Sequence, residues 1–497
     1  MQQELQAKKR KLIHLLLDKN ILVEPEFLEK INKTTDTKEI SELINSKLSS
    51  SQATEQINPN LSIEKTEKAK RNGKVKIVFS FDNKPKPIIA QDFITYFNSR
   101  YNAIKKILQQ RTQLENISSI GKLKTKNERE QVSLIGLVYN KEETKNGIML
   151  TVEDQTGQIK VYFGNTKQAL FAKAKDIVLD EVIGITGSTG KNIVFGNEIY
   201  FPDIPITKEF KKSPSEEYAV FASDLHIGAK DFLEDDFLKF IHWLQGNVGN
   251  EQQKEISSKV KYVFMTGDVV DGVSIYPTQK EELSIHTFKE QYKKFAEYLR
   301  MIPNDIQIII CPGNHDVVQI SEPQPVLPRE YCEDLFTLSN VTLVSNPAVV
   351  NIAAKEGFPG FDVLMYHGYS YNHYADDVES IRIQKPNISE RAELVMKLLL
   401  QKRHLGPTYD GNPHTPTEVD HLVIEQVPDI FVSGDVHRSA AFTYKGVITG
   451  IIGSCFQPQT SFQEKVGHIP DPGRIPVLNL KTRDVKILNF RSGDKDE

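Results

Sequence analysis

The apolar positions change period along the chain, and each change marks a different kind of element. Over residues 1–48, Leu12, Leu15, Leu16 and Leu17 are followed by Phe27, Leu28 and Ile31, then Ile40, Leu43, Ile44 and Leu48. This helical spacing predicts a small helical N-terminal module suited to docking. Residues 49–73 (SSSQATEQINPNLSIEKTEKAKRNG) are polar, basic and nearly free of large apolar side chains. That composition predicts a disordered linker. Residues 74–130 open with a strand pattern, KVKIVFSF. They continue with AQDFITYFNSRYNAIKKILQQR, in which Phe93, Tyr96, Phe97, Tyr101, Ile104 and Leu108 form one helical stripe. We expect a strand–helix extension packed on the domain that follows.

Residues 131–206 alternate with period two. VSLIGLVYN is a strand, NGIMLTVEDQTGQIKVYF a hairpin turning at Asp154–Gly157, and VLDEVIGITGS and NIVFGNEIYF flank a turn at Gly190. Five short strands predict a Greek-key barrel of the OB type. Its aromatics Tyr139, Tyr162, Phe163 and Phe195 could stack bases, although core packing is the simpler assignment for any one of them. Between residues 215 and 490 strands and helices alternate. EYAVFASDLH, KYVFMTGDVVDG, DIQIIICPGNHD, DVLMYHG and DIFVSGDVH are each an apolar run ending in Gly, Asp, Asn or His. DFLEDDFLKFIHWLQ reads as an amphipathic helix. The expected fold class is multidomain α+β: a small helical N-terminal module, an OB-type β-barrel and an α/β sandwich over 215–490. Ligands of such sheets gather at strand ends, so the five clusters should meet.

Composition changes this picture little. A net charge of -4 over 497 residues says nothing of partners. Residues 61–130, however, hold 16 Lys/Arg against 7 Asp/Glu, a local net of +9. That bias fits a solvated surface or a phosphate-facing one. Cys311, Cys332 and Cys455 form no CxxC pair, which argues against a disulfide framework and a thiolate zinc site. The N-terminus carries charge on both sides of a very short apolar run, unlike a signal peptide. No apolar stretch is long enough to span a bilayer. A soluble protein of the reducing cytoplasm, associated with the nucleoid, is expected, without a membrane partner.

The chemistry lies in Asp224-x-His226, Gly267-Asp268, Gly313-Asn314-His315-Asp316, His367-Gly368 and Gly434-Asp435-x-His437. Carboxylates and an amide mixed with imidazoles suit divalent cations such as manganese, magnesium, iron or zinc. Two cations about 3.5–4 Å apart clamp a phosphate and acidify a water between them. In this order DLH, GDVVDG, GNHD, YHG and GDVH resemble the calcineurin-like metallophosphoesterases over residues 216–490. The resemblance implies that Asp224, His226 and His437 hold one metal, that Asp268 bridges, and that Asn314, His367 and Asp435 hold the second. His315 would act at the scissile phosphate as general acid or charge stabiliser, with Asp316 orienting it. The family usually has GHxH in its last motif, and here position 435 is Asp. An added anion should weaken the Lewis acidity of the second metal and favour manganese or magnesium. The remaining histidines, His242, His286, His373, His414, His421 and His468, read as surface or packing residues. In KRHLGPTY, Lys402, Arg403 and His404 are candidates for nucleic-acid contact.

The element order, together with DGVSIYPTQKEEL and KRHLGPTYDG, resembles the small-subunit family of archaeal family D DNA polymerases. This resemblance implies a metal-dependent 3′–5′ exonuclease that proofreads single-stranded or mismatched 3′ DNA ends. It implies a heterodimer with a large catalytic polymerase subunit and, through that assembly, contact with a sliding clamp. Related eukaryotic small subunits have lost metal ligands. The competing readings are a structural subunit that stabilises its polymerase partner and a phosphatase for phosphomonoesters, which would have no need of the barrel.

Overall fold

A computed structural model describes residues 74–82, 86–385, 388–460, 463–464 and 468–492. The expected helical module at 1–48 and the linker at 49–73 lie outside the described residues. Strand β1 (Val75–Ser80) and helix α1 (Ala90–Leu108) come first. Strands β2 (Gln131–Thr144), β3 (Gly147–Asp154) and β4 (Gly157–Gly164) follow, then helix α2 (Gln168–Lys175), β5 (Val182–Gly190) and β6 (Ile193–Tyr200). These five strands close into a barrel in the order β2-β3-β4-β6-β5. Their inward positions, among them Leu134, Ile148, Leu150, Val161, Phe163, Ile185 and Val194, form its core. Helix α2 has no counterpart in the sequence reading. It is short and weakly patterned, and only its Leu170 and Ala174 are buried.

Beyond the barrel come β7 (Tyr218–Ala222), α3 (Glu234–Leu244), β8 (Val260–Thr266), α4 (Phe288–Met301), β9 (Gln307–Cys311), β10 (Val341–Leu343), β11 (Ala348–Ile352) and β12 (Phe361–Met365). Helix α5 (Ile388–Lys402) and strands β13 (Ile430–Ser433), β14 (Ala440–Tyr444), β15 (Ile448–Ile452), β16 (Arg474–Asn479) and β17 (Val485–Asn489) complete the chain. They build two six-stranded sheets, β1-β11-β12-β13-β15-β14 and β10-β9-β8-β7-β16-β17. Alternate residues of one strand serve two cores. Phe221 and Phe264 point between the sheets with Ile309, Val363 and Val432. Val220, Ala222, Val263 and Met265 pack on the other side with Phe237, Phe240 and Ile241 of α3 and Phe295 of α4. Burial on both faces explains why the parallel strands read as unbroken apolar runs.

The 74–130 extension does more than pack on the barrel. β1 pairs antiparallel with β11 and becomes an edge strand of the first sheet. Helix α1 lies between barrel and sandwich. The Tyr101 hydroxyl donates to Ile135 O of the barrel at 3.2 Å, and Arg100 Nε meets Asp420 Oδ2 at 2.6 Å. Lys402 Nζ reaches Glu181 Oε1 across the same joint at 2.7 Å. Among the described residues no helix is long and apolar enough to cross a membrane.

Two neutral imidazoles sit at this joint. Burial, reinforced by the Arg100 charge, pushes His404 down to about 4 and His414 down to about 3. Both lie below the roughly 6.5 of an unfolded histidine. Below that pH the unfolded chain binds protons that the folded one refuses, so stability falls as pH drops from about 6.5 towards 4. The expected result is a urea midpoint clearly lower at pH 4.5 than at pH 7.5. His404→Gln and His414→Gln should flatten the dependence between those values.

Candidate metal centre

The five clusters occupy the carboxyl ends of neighbouring parallel strands. β7 delivers Asp224 and His226, β8 Asp268, β9 Asn314 and His315, β12 His367, and β13 Asp435 and His437. Backbone hydrogen bonds lace the turns beyond the strands. Asp224 N donates to Gly267 O at 3.0 Å, His226 N to Asp268 O at 3.1 Å and Gly434 N to His367 O at 2.7 Å. Five of these side chains sit on left-handed backbone: Asp224, His226, Asp268, Asp435 and His437 have φ between 50° and 66°. Such conformations cost about 1–3 kcal/mol each for non-glycine residues and collect at functional sites. Gly267, at φ 83°, is confined further, because a Cβ there would strike the His367 ring.

The side chains converge as the spacing implies. Asp224, His226 and His437 bring ligand atoms within 4.8 Å of one another, and so do Asp224, Asp268 and His367. His226 Nε2 lies 3.1 Å from His437 Nε2, and His437 Nε2 lies 3.6 Å from Asp224 Oδ1. Asp268 Oδ2 is 3.3 Å from His367 Nε2 and 3.9 Å from His226 Nε2, so it faces both groups. On the far side His367 Nε2 is 3.1 Å from Asn314 Oδ1 and 3.7 Å from Asp435 Oδ1.

These residues fit a pair of divalent cations. Asp224 and Asp268 are buried side by side, and the nearly buried Asp435 adjoins them. Burial, with the charge of Asp268 beside it, pushes Asp224 up to about 6. Burial, with Asp224 and Asp268 nearby, pushes Asp435 up to about 7. Asp435 Oδ2 is a buried oxygen without a hydrogen-bond partner. Clustered anions, facing imidazole nitrogens and an unpaired carboxylate oxygen are compensated together by bound cations. Second contacts fix the imidazoles: His226 Nδ1 bonds Asp271 Oδ1 at 3.1 Å, and His367 Nδ1 bonds Thr266 O at 2.9 Å. Such outer contacts hold the ring and its tautomer for metal binding.

Asp271 was legible in GDVVDG but was not singled out. It lies three residues past Asp268, its carboxylate is buried, and Gln279 Nε2 donates to its Oδ2 at 2.7 Å. Asp271→Ala should weaken metal binding at the His226 side about 10–100-fold, read by titration calorimetry with manganese. Glu322 and Asn346 were not legible. Both are wholly buried behind His367, whose backbone N–H donates to Asn346 Oδ1 at 2.8 Å. Glu322 follows no apolar run, and Asn346, which closes VTLVSN, has no Gly, Asp or His beside it to mark a ligand cluster.

Three expectations change. Asp316 does not hold the His315 ring. Its carboxylate accepts from Gly313 N and the Tyr292 hydroxyl, each at 2.8 Å, and so fixes the turn, while His315 Nδ1 bonds Asp271 O at 2.8 Å. Lys402, Arg403 and His404 do not face a nucleic acid. All are at most 3% exposed and are satisfied internally, Lys402 by Glu181, Arg403 by Ile424 O and Asp203 O, and His404 by Asp420. Among the barrel aromatics, Phe163 is core, whereas Tyr139 and Phe195 are 59% and 47% exposed.

A sandwich of two sheets with Asp, Asn and His ligands converging at strand ends defines a calcineurin-like phosphoesterase, and the profile of that family matches residues 219–439. The DNA polymerase II small subunit of Methanothermobacter thermautotrophicus is 39% identical over 80% of this chain and 79% of its own length. That of Pyrococcus furiosus is 37% identical over 81% of this chain, which spans 64% of that longer protein. The chain belongs to the family of archaeal DNA polymerase II small subunits. Among solved structures, the S. pombe Stn1-ten1 complex matches 14% of this chain and 55% of its own, at 15% identity and a TM-score of 0.14. That likeness is too slight to carry weight.

Proposed function

We propose that this subunit is a metal-dependent 3′–5′ exonuclease that removes unpaired or mismatched 3′ DNA ends beside a large catalytic polymerase subunit. The observation that carries the reading is the convergence of Asp224, His226 and His437 and of Asp224, Asp268 and His367 at one site, with Asp435 Oδ2 beside them left without a partner. In this reading Asp224, His226 and His437 would hold one ion and Asn314, His367 and Asp435 the other, with Asp268, which faces both groups, shared between them. Two such ions supply Lewis acidity and an acidified water. His315, tethered through Nδ1, keeps Nε2 free for the leaving 3′ oxygen or a phosphoryl oxygen. Because Nδ1–H donates to the Asp271 carbonyl, Nε2 carries a proton to give only in the imidazolium form, which burial disfavours and which the charge of a bound phosphate would favour. The three carboxylates favour hard ions, manganese or magnesium, over softer ones.

We read the barrel as OB type, because five strands close in an order where β4 and β6 pair parallel. Similarity to DNA polymerase II small subunits supports a polymerase partner and DNA as substrate. The proposed division keeps 131–206 as the barrel and 215–490 as the phosphoesterase domain.

The test is an end-labelled single-stranded and mismatched DNA assay, with manganese or with chelator, and with His315→Ala as control. Shortening from the 3′ end only with metal, and slowed about 10²–10⁴-fold in His315→Ala, is expected. Equal rates for wild type and His315→Ala would leave a structural subunit as the better reading.

A further inference from the structure

Residues 272–283 lie between Asp271 and α4, and they carry an aromatic ring at the edge of the metal centre. Tyr276 is 38% exposed, yet its ring lies 6.4 Å from that of His315, with planes inclined by 59°. Its hydroxyl donates to Glu282 at 2.8 Å, which fixes the ring at its far end.

The segment itself is rigidly held. Gln279, 1% exposed, donates to the Asp271 carbonyl at 2.8 Å and to its carboxylate at 2.7 Å, and accepts from Ile275 N at 2.9 Å. Gln291, wholly buried, accepts from Gly272 N and donates to Gly272 O, both at 3.0 Å. Asp271 in turn holds the ring of His226. The support of a metal ligand and the support of Tyr276 are therefore one network. Two non-glycine residues in the segment, Ser274 and Thr278, stand on left-handed backbone with φ of 64° and 72°. For a β-branched residue that conformation is costly and persists only where surroundings impose it. The segment thus holds a large, partly exposed ring beside the His315 imidazole.

We propose that Tyr276 is the stacking platform for the base of the 3′-terminal nucleotide, a base subsite adjoining the metal centre. This rests on the exonuclease reading above and names how that site takes its substrate. With the scissile phosphate beside His315, the next rigid, flat group of the substrate is the terminal nucleobase. Every base offers a π face, so stacking tolerates any sequence. A base in a duplex end is already paired and stacked, so only a frayed or mismatched one can be transferred to the tyrosine. Selectivity for unpaired ends then follows without hydrogen bonds to base edges.

The test uses the full chain with manganese and a single-stranded oligonucleotide whose 3′-terminal base is 2-aminopurine. A phosphorothioate at the last linkage slows cleavage. Stacking quenches the fluorescence. Quenching is expected with wild type and with Tyr276→Phe, and its loss with Tyr276→Ala. If Tyr276→Ala does not fold, Tyr276→Leu replaces it with an apolar side chain that has no ring. On unmodified substrates wild type should prefer an ordinary 3′ nucleotide over an abasic one about tenfold in kcat/KM, and the variant without the ring should lose that preference. No quenching with wild type, or equal quenching with the ringless variant, overturns the subsite. Cleavage without quenching removes the subsite and leaves the exonuclease. Quenching without cleavage supports the subsite and removes the exonuclease.

Discussion

Asp268→Asn is expected to lower metal-dependent phosphodiester hydrolysis by about 10³-fold or more and to strip both ions from the purified protein. Asn preserves the shape and removes the charge. Asp268 is 3% exposed and stands between the two halves of the cluster, nearest to His367 on one side and His226 on the other. Its second oxygen accepts from the His315 backbone N–H at 2.8 Å, so the same side chain also sets the GNHD turn. Burial works against the ionised form, but the neighbouring His367 and His315 outweigh it and hold the carboxyl far below the usual range. It is the carboxylate of the cluster most firmly kept as an anion, whereas Asp224 and Asp435 are pushed up. Elemental analysis and the rate on a diester substrate check the two parts separately. Two retained equivalents of metal would show that Asp268 does not bridge.

Arg100→Met is expected to destabilise the protein by about 3–5 kcal/mol. Arg100 and Asp420 are both fully buried, and Nε meets Oδ2 at 2.6 Å. Arg100 Nη1 also donates to Asp180 O at 3.2 Å and to Pro407 O, and Nη2 to the Tyr96 hydroxyl at 3.2 Å. One guanidinium thus joins α1, the segment before β5 and the loop after α5. Methionine fills much of the volume but leaves Asp420 a buried charge without its cation. Breaking a buried pair costs far more than replacing both members. The double variant Arg100→Met/Asp420→Leu should therefore recover part of the loss. Urea unfolding of the three proteins measures it. A loss below about 1 kcal/mol in Arg100→Met would mean that apolar contacts alone hold the joint. Tyr101, Ile104, Leu108, Leu114, Ile135, Leu137 and Val423 form that apolar cluster.

The legible and illegible parts of this molecule separate by the range of the interactions that define them. β7, β8, β9, β12 and β13 are short apolar runs followed within a few residues by Asp, Asn or His, so the residues that close each strand are also of the types that can ligate a cation. Local pattern and local chemistry therefore coincide in DLH, GDVVDG and GNHD. The barrel strands were legible because they alternate. α2 was not, because eight residues with two buried positions carry little period. Lys402, Arg403 and His404 misled for the opposite reason. A basic run on paper looks like a phosphate contact, but folding sets it against Glu181 and Asp420, whose partnership no local pattern announces. β1 pairs with β11 across some 270 residues of chain, so its place at the edge of the sandwich could not be read from its own six residues.

The sequence by itself determined which chemistry is possible. The residue types after each strand suit divalent cations, and their order marks a calcineurin-like phosphoesterase domain. Tertiary structure decided the roles. It set Asp268 between two imidazoles and turned Asp316 to Gly313 N rather than His315. It gave Asp271 the orientation of His226, and it left one oxygen of Asp435 unpaired. The physical reason is that a side chain's periodicity and donor atoms are local properties. Its partner, burial and charge state depend on which distant segments the fold brings within a few ångströms.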